Sequence, residues 1–257
     1  MERIKELFRA KKDILSVYFT AGYPNIDDTG RTILSLQKSG VDLIEVGMPY
    51  SDPMADGETI QQSSAQALKN GMTLDLLFNQ LKQIKKEVNV PLVFMGYLNQ
   101  WMRYGKEKFC KAASEAGISA FIIPDLPMEI YQEEYKSALE KYNLGMSFLI
   151  TPQTNDARIQ QASEYSSGFL YIVSQSSTTG GSKEFTKEQL EYFDRIHNLN
   201  LKTPKVIGFA INSGKSYREA CKYANGAIIG SGFIRALEKD NLEHSIKNYI
   251  DSILTDN

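Results

Sequence analysis

Short apolar runs recur along the chain, separated by longer stretches in which apolar and charged residues follow a helical period. The runs Ser16–Thr20, Asp42–Val46, Leu92–Met95, Ala120–Ile123, Met146–Ile150, Phe169–Val173, Lys205–Phe209 and Ala227–Ile229 predict eight strands. They are apolar at successive positions, the pattern of strands covered on both faces. Most are bounded by Gly, Pro, Asp or Asn, which favour turns. Between them, segments such as Met128–Lys141 and Ser216–Tyr223 place charges on one helical face and apolar residues on the other. Strand, crossover and strand repeated in this way mean a parallel sheet, because parallel neighbours need a crossover of about a dozen residues.

Eight such units in 257 residues fit a single-domain (β/α)8 TIM barrel spanning residues 1–257. The competing open, doubly wound sheet opens with a G-x-G-x-x-G turn, whereas the first strand here runs into Thr20-Ala21-Gly22-Tyr23-Pro24. No linker-like or low-complexity stretch divides the chain. In the segment Met1–Lys12, Ile4, Leu7 and Phe8 share a helical face among charged residues. This predicts an N-terminal helix that caps the barrel, not a secretory signal, which needs an uninterrupted apolar core. The 29 Lys+Arg and 31 Asp+Glu leave a formal net charge of −2, so no overall field draws nucleic acid. No apolar run is long enough for a bilayer. Cys110 and Cys221 read as reduced packing residues of a cytoplasmic protein. Two histidines and two distant cysteines form no metal-binding cluster of the usual spacing.

The strand-to-helix connections of a barrel share its C-terminal rim, where active sites of this architecture are built. Three of them are unusual: Gly47–Gly57, Ser174–Phe185, and Gly230–Ser231 at the start of a helix. Glu45 lies within the second predicted strand, in phase with Leu43 and near its C-terminal end, hence at the barrel mouth. A carboxyl buried there has its pKa raised, as a general acid/base requires; a structural ion pair with Lys or Arg is the alternative. The loop from Pro49 to Gly57 adds Asp52 and Asp56, each in an ordinary turn pair, and periodicity does not choose between them. Gly208 ends the seventh strand and Gly230-Ser231-Gly232 follows the eighth, the positions where such barrels often hold a phosphate on main-chain amides. The small, polar stretch from Ser174 to Ser182 reads either as a lid or as a plain surface loop. Tyr18, Tyr97 and Tyr171, near strand ends, either line a flat apolar pocket or pack in the core.

Glu45, followed by Pro49-Tyr50-Ser51-Asp52-Pro53-Met54-Ala55-Asp56-Gly57 and Thr59-Ile60-Gln61, closely resembles the signature of the tryptophan synthase alpha subunit family. The likeness extends through Phe19-Thr20-Ala21-Gly22-Tyr23-Pro24, Met95-Gly96-Tyr97-Leu98-Asn99, Pro124-Asp125-Leu126-Pro127, Thr179-Gly180, Gly208-Phe209 and Gly230-Ser231. It implies a barrel lyase that cleaves indole-3-glycerol phosphate to indole and glyceraldehyde 3-phosphate. By the resemblance, Glu45 is the acid/base that protonates the indole ring, Asp56 holds the indole N–H, and Tyr171 lies near the reacting group. Tyr18, Ile60 and Tyr97 then form the indole pocket, and Thr179 belongs to the closing lid. Gly180, Gly208, Ala210, Gly230 and Ser231 match the phosphate positions. The family works in an alpha2beta2 heterotetramer with a beta subunit that carries pyridoxal phosphate and receives the indole; no cofactor is expected in this chain. Three positions depart from the common pattern: Ser177 stands in place of a lid glycine, Gln175 where some relatives have arginine, and Ala210 where Gly-Phe-Gly is usual. A standalone indole-releasing lyase and a non-catalytic activator of a beta subunit are the alternatives.

Overall fold

The computed structural model describes residues 1–53, 56–174 and 185–255. Among the described residues, nine parallel strand segments form one sheet: β1 (Ile14–Thr20), β2 (Leu43–Gly47), β3 (Leu92–Met95), β4 (Ile118–Ile122), β5 (Gly145–Met146), β6 (Leu149–Ile150), β7 (Leu170–Val173), β8 (Lys205–Gly208) and β9 (Gly226–Ile229). Their order is β5-β4-β3-β2-β1-β9-β8-β7-β6. The two outermost segments are separated only by Ser147 and Phe148, so the sheet curls until both margins lie in one stretch of chain. This is the TIM barrel expected from the alternating pattern, with helices covering its outer face.

The nine segments are the eight predicted strands with the fifth broken in two. The break has a local cause. β5 pairs with β4 and β6 with β7, so the chain changes neighbours midway, and serine hydroxyls take over ladder positions. Ser167 Oγ accepts from Met146 N, Ser166 Oγ from Phe148 N, and Ser147 Oγ from Phe169 N. Other margins differ by one or two residues. Asp42, predicted to open β2, instead uses its carboxylate to accept Leu15 N–H and to pair with Lys11. The helical stretch Met128–Lys141 is continuous but contains a π-helical turn at Tyr131–Tyr135. The stretch predicted at Ser216–Tyr223 is helical over Gly214–Cys221, because Ser213 caps it by accepting Ser216 N–H at 3.2 Å.

Alternation along each strand separates two apolar cores. Leu15, Val17 and Phe19 of β1, with Ile44 and Val46 of β2, face the helices. Ile14, Tyr18, Leu43, Val93, Ile122, Tyr171, Val206 and Ile228 fill the barrel interior. The N-terminal helix, Glu2–Ala10, joins the interior cluster through Ile4, Leu7 and Phe8, with Phe8 6.0 Å from Phe169 ring to ring. It closes the end of the barrel from which the strands start, which leaves the opposite end for a site. Both cysteines are free, and burial pushes each thiol up to about 12. No helix among the described residues is long and apolar enough to cross a membrane, and no group of three or more potential metal ligands occurs among them.

Candidate active site

Glu45 is in register with Tyr18 of β1 and Val93 of β3, and its side chain points into the barrel. It is fully buried. Ser16 Oγ donates to Glu45 Oε1 at 3.3 Å, and Oε2 has no partner. Burial raises the carboxyl to about 8, opposed only by the serine hydrogen bond. No lysine or arginine among the described residues pairs with it, so the structural ion pair that the sequence left open is not what holds this acid. Glu45 is therefore a near-neutral titrating group inside an apolar barrel, an arrangement suited to proton transfer.

A cavity of about 340 Å³ opens at the C-terminal rim. Tyr18, Tyr171, Ile60, Met95 and Ile228 line its apolar part, and Asp56 enters from the β2 loop. Both tyrosine hydroxyls are shifted well above their ordinary value, first by burial and then by neighbouring charges that include Glu45 and Asp56. Tyr97 OH donates to Asp56 Oδ2 at 3.0 Å, while burial raises the Asp56 carboxyl against that bond. Asp52, by contrast, is exposed and accepts from the neighbouring Ser51 hydroxyl at 2.5 Å. Of the two aspartates that turn chemistry could not separate, only Asp56 faces the cavity. Tyr97 is not among the lining residues; it stands behind Asp56, stacked on Tyr50 with ring centroids 4.8 Å apart.

The other end of the cavity is made of backbone. Gly230, Ser231 and Gly232 begin the helix Ser231–Ala236, and the stretch from Phe209 to Asn212 lies opposite. The first intrahelical bond there runs from Ile234 N to Gly230 O, so the amides before it have no acceptor within the helix. Phe209 and Ala210 both take left-handed backbone conformations, with φ of 66° and 57°. The connection is held by Ser174, whose hydroxyl donates to Phe209 O at 2.7 Å and whose N–H donates to Gly208 O at 3.0 Å. Gly208 does not line the cavity. A Cβ there would stand 2.2 Å from the Tyr171 hydroxyl, so the glycine makes room for the tyrosine. Thr179 and Gly180, with Gln175 and Ser177, lie outside the described residues.

Three contributors escaped the sequence reading. Arg235 lines the cavity and donates to Thr59 Oγ1 at 3.0 Å; its position one helical turn beyond Ser231 was the available signal. Asn212 lines the same wall. Ser16, deep in β1, was hidden inside an apolar run and is explained only by its bond to Glu45.

A parallel barrel carrying a buried carboxyl, an apolar cavity and a backbone-lined recess at its C-terminal rim defines a class, the TIM-barrel enzymes. Within it, the family model for the tryptophan synthase alpha chain matches residues 4–254, and the chain belongs to that family. It is 51% identical to the tryptophan synthase alpha chain of Flavobacterium psychrophilum, over 98% of this chain and 100% of that one. It is 53% identical to that of Flavobacterium johnsoniae, over 93% and 94% respectively. Among solved structures, tryptophan synthase from M. tuberculosis in its aminoacrylate-bound form superposes with a TM-score of 0.85 at 26% identity, covering 98% of this chain and 97% of that one. The tryptophan synthase A-subunit from Pyrococcus furiosus superposes with a TM-score of 0.87 at 28% identity, covering 95% and 99%. The chain is a lyase of tryptophan biosynthesis.

Proposed function

We propose that this chain cleaves indole-3-glycerol phosphate to indole and glyceraldehyde 3-phosphate. The observation that carries the reading is Glu45: a buried carboxyl with one bare oxygen, raised to about 8, in register with Tyr18 of the cavity wall though not itself lining the cavity. In the protonated form Glu45 delivers its proton to C3 of the indole. The positive charge that develops on the ring is offset by Asp56, which accepts the indole N–H and is itself oriented by Tyr97. The Glu45 carboxylate so formed then takes the proton of the glycerol hydroxyl beside the ring, the carbon–carbon bond breaks to release indole and the aldehyde, and the acid is regenerated. Tyr18 and Ile60 flank the ring, and Tyr171 stands beside the reacting carbon. The phosphate is assigned to the recess of Ala210, Gly230 and Ser231, with Arg235 at its edge and Gly208 behind it; by the sequence pattern alone, Gly180 is assigned to the phosphate and Thr179 to the lid. Preorganised groups of this kind act where charge develops, in a site with little water to reorganise.

The reading includes a partner. The indole passes to a tryptophan synthase beta subunit, which carries the pyridoxal phosphate, in a cytoplasmic alpha2beta2 assembly; the chain works without a cofactor of its own. The test is indole release from indole-3-glycerol phosphate, with and without the beta subunit. Glu45→Gln is expected to abolish release, and Asp56→Ala to lower it by at least tenfold, with both variants folded. Near-normal turnover in Glu45→Gln overturns the acid–base assignment. Strong stimulation by the beta subunit is expected; fast unaided turnover instead makes the chain a standalone lyase.

A further inference from the structure

We propose that Ser16 is a positioning residue of the acid–base centre: its hydroxyl anchors one carboxylate oxygen of Glu45 from the layer below and leaves the other free for proton transfer. The inference rests on the assignment of Glu45 as acid/base and extends it to a residue with no contact to the cavity.

The geometry is specific. In the parallel register of β1 and β2, Tyr18 stands beside Glu45, while Ser16 stands beside Leu43, one inward layer further from the mouth. Glu45 nevertheless bonds to Ser16, at 3.3 Å, and not to a group in its own layer. Both residues are fully buried, and Leu43, Val93 and Ile228 fill the interior near them. A serine in such surroundings loses its hydration and regains a hydrogen bond only through the carboxylate. The bond uses up one oxygen and fixes the torsion of the acid, so the unpartnered oxygen presents a single orientation.

The groups that share this space are few. Tyr18 from β1 and Tyr171 from β7 lie within electrostatic reach of the carboxyl, and Asp56 from the rim loop, with Tyr97 behind it, acts on both tyrosines. Arg235 is committed to Thr59 at the edge of the cavity. Ser16 is thus the one hydrogen-bond donor to Glu45 among the described residues, and the bond favours the ionised acid against burial.

The test compares wild type, Ser16→Ala and Glu45→Gln in the full chain. Ser16→Ala is expected to lower kcat at pH 7 about fivefold with KM unchanged, and to move the alkaline limb of the kcat profile, where the protonated acid is lost, to higher pH by about half a unit. Ser16→Thr, which keeps the hydroxyl, is expected to restore the limb. A Ser16→Ala profile that superimposes on wild type while Glu45→Gln is inactive overturns this proposal alone. Activity in Glu45→Gln overturns the assignment on which it rests. A uniform loss of kcat with the limb unmoved marks a packing role and also overturns it.

Discussion

At the scale of single residues, the protein holds groups in states they would not take in water. Glu45 titrates at about 8 in the folded chain against 4.5 for the free side chain. The folded state therefore binds its proton more tightly than the unfolded state. Stability from this group is complete below about pH 4.5, declines as the pH rises towards 8, and is lost above it. At about 1.4 kcal/mol per unit the loss is about 5 kcal/mol at most. Urea unfolding at pH 5 and pH 9 checks this: Glu45→Gln is expected to match wild type at the lower pH and to exceed it at the higher. Equal stabilities at both values would show that the carboxyl is not desolvated. The residue to which the proton transfer is assigned is thus one the fold would be better without above neutral pH. Position 210 is a second case. Alanine in the left-handed region costs about 1–2 kcal/mol that glycine would not, and Ser174 holds the strained connection in place. The departure from Gly-Phe-Gly was visible in the sequence; that it falls on a left-handed backbone was not.

At the scale of elements, the barrel assigns one task to each end. The N-terminal helix carries no group that reaches the cavity, yet Ile4 is fully buried and Phe8 packs on Phe169. Ile4→Ala is expected to destabilise the chain by about 2–4 kcal/mol in urea unfolding, with kcat unchanged because the site lies at the opposite end. A parallel fall in kcat would mean that the two ends are coupled. The strands carry the complementary lesson. Their apolar runs announced eight crossings, and the helical period announced what covers them. The division of the fifth strand was not legible, because it depends on hydroxyls of Ser166 and Ser167 brought beside the gap from the next connection. The π-helical turn at Tyr131–Tyr135 was equally hidden, since the buried Met128, Tyr131, Tyr135, Ala138 and Leu139 recur at ordinary helical spacing.

At the scale of the molecule, closure of the sheet brings the loops after β2, β8 and β9 around one cavity. A three-carbon phosphate ester, glycerol 3-phosphate, is expected to raise the melting temperature by several degrees at a concentration a hundredfold above its Kd, about 2.7 kcal/mol of added stability. Ser231→Asp places like charge in the recess and is expected to cancel the shift; an undiminished shift would move the phosphate elsewhere. The sequence by itself determined the class of fold, the rim that carries the cavity and the identity of the buried acid. Those properties follow from periodicity and from motifs contiguous in the chain. The choice of Asp56 over Asp52 came from the sequence only by resemblance, and only the tertiary structure decided that Tyr97 serves Asp56 instead of lining the cavity, that Gly208 yields space to Tyr171, and that Ser16 holds Glu45. Each of these is a contact between residues far apart in the chain, and such contacts come into being only when the strands register and the barrel closes.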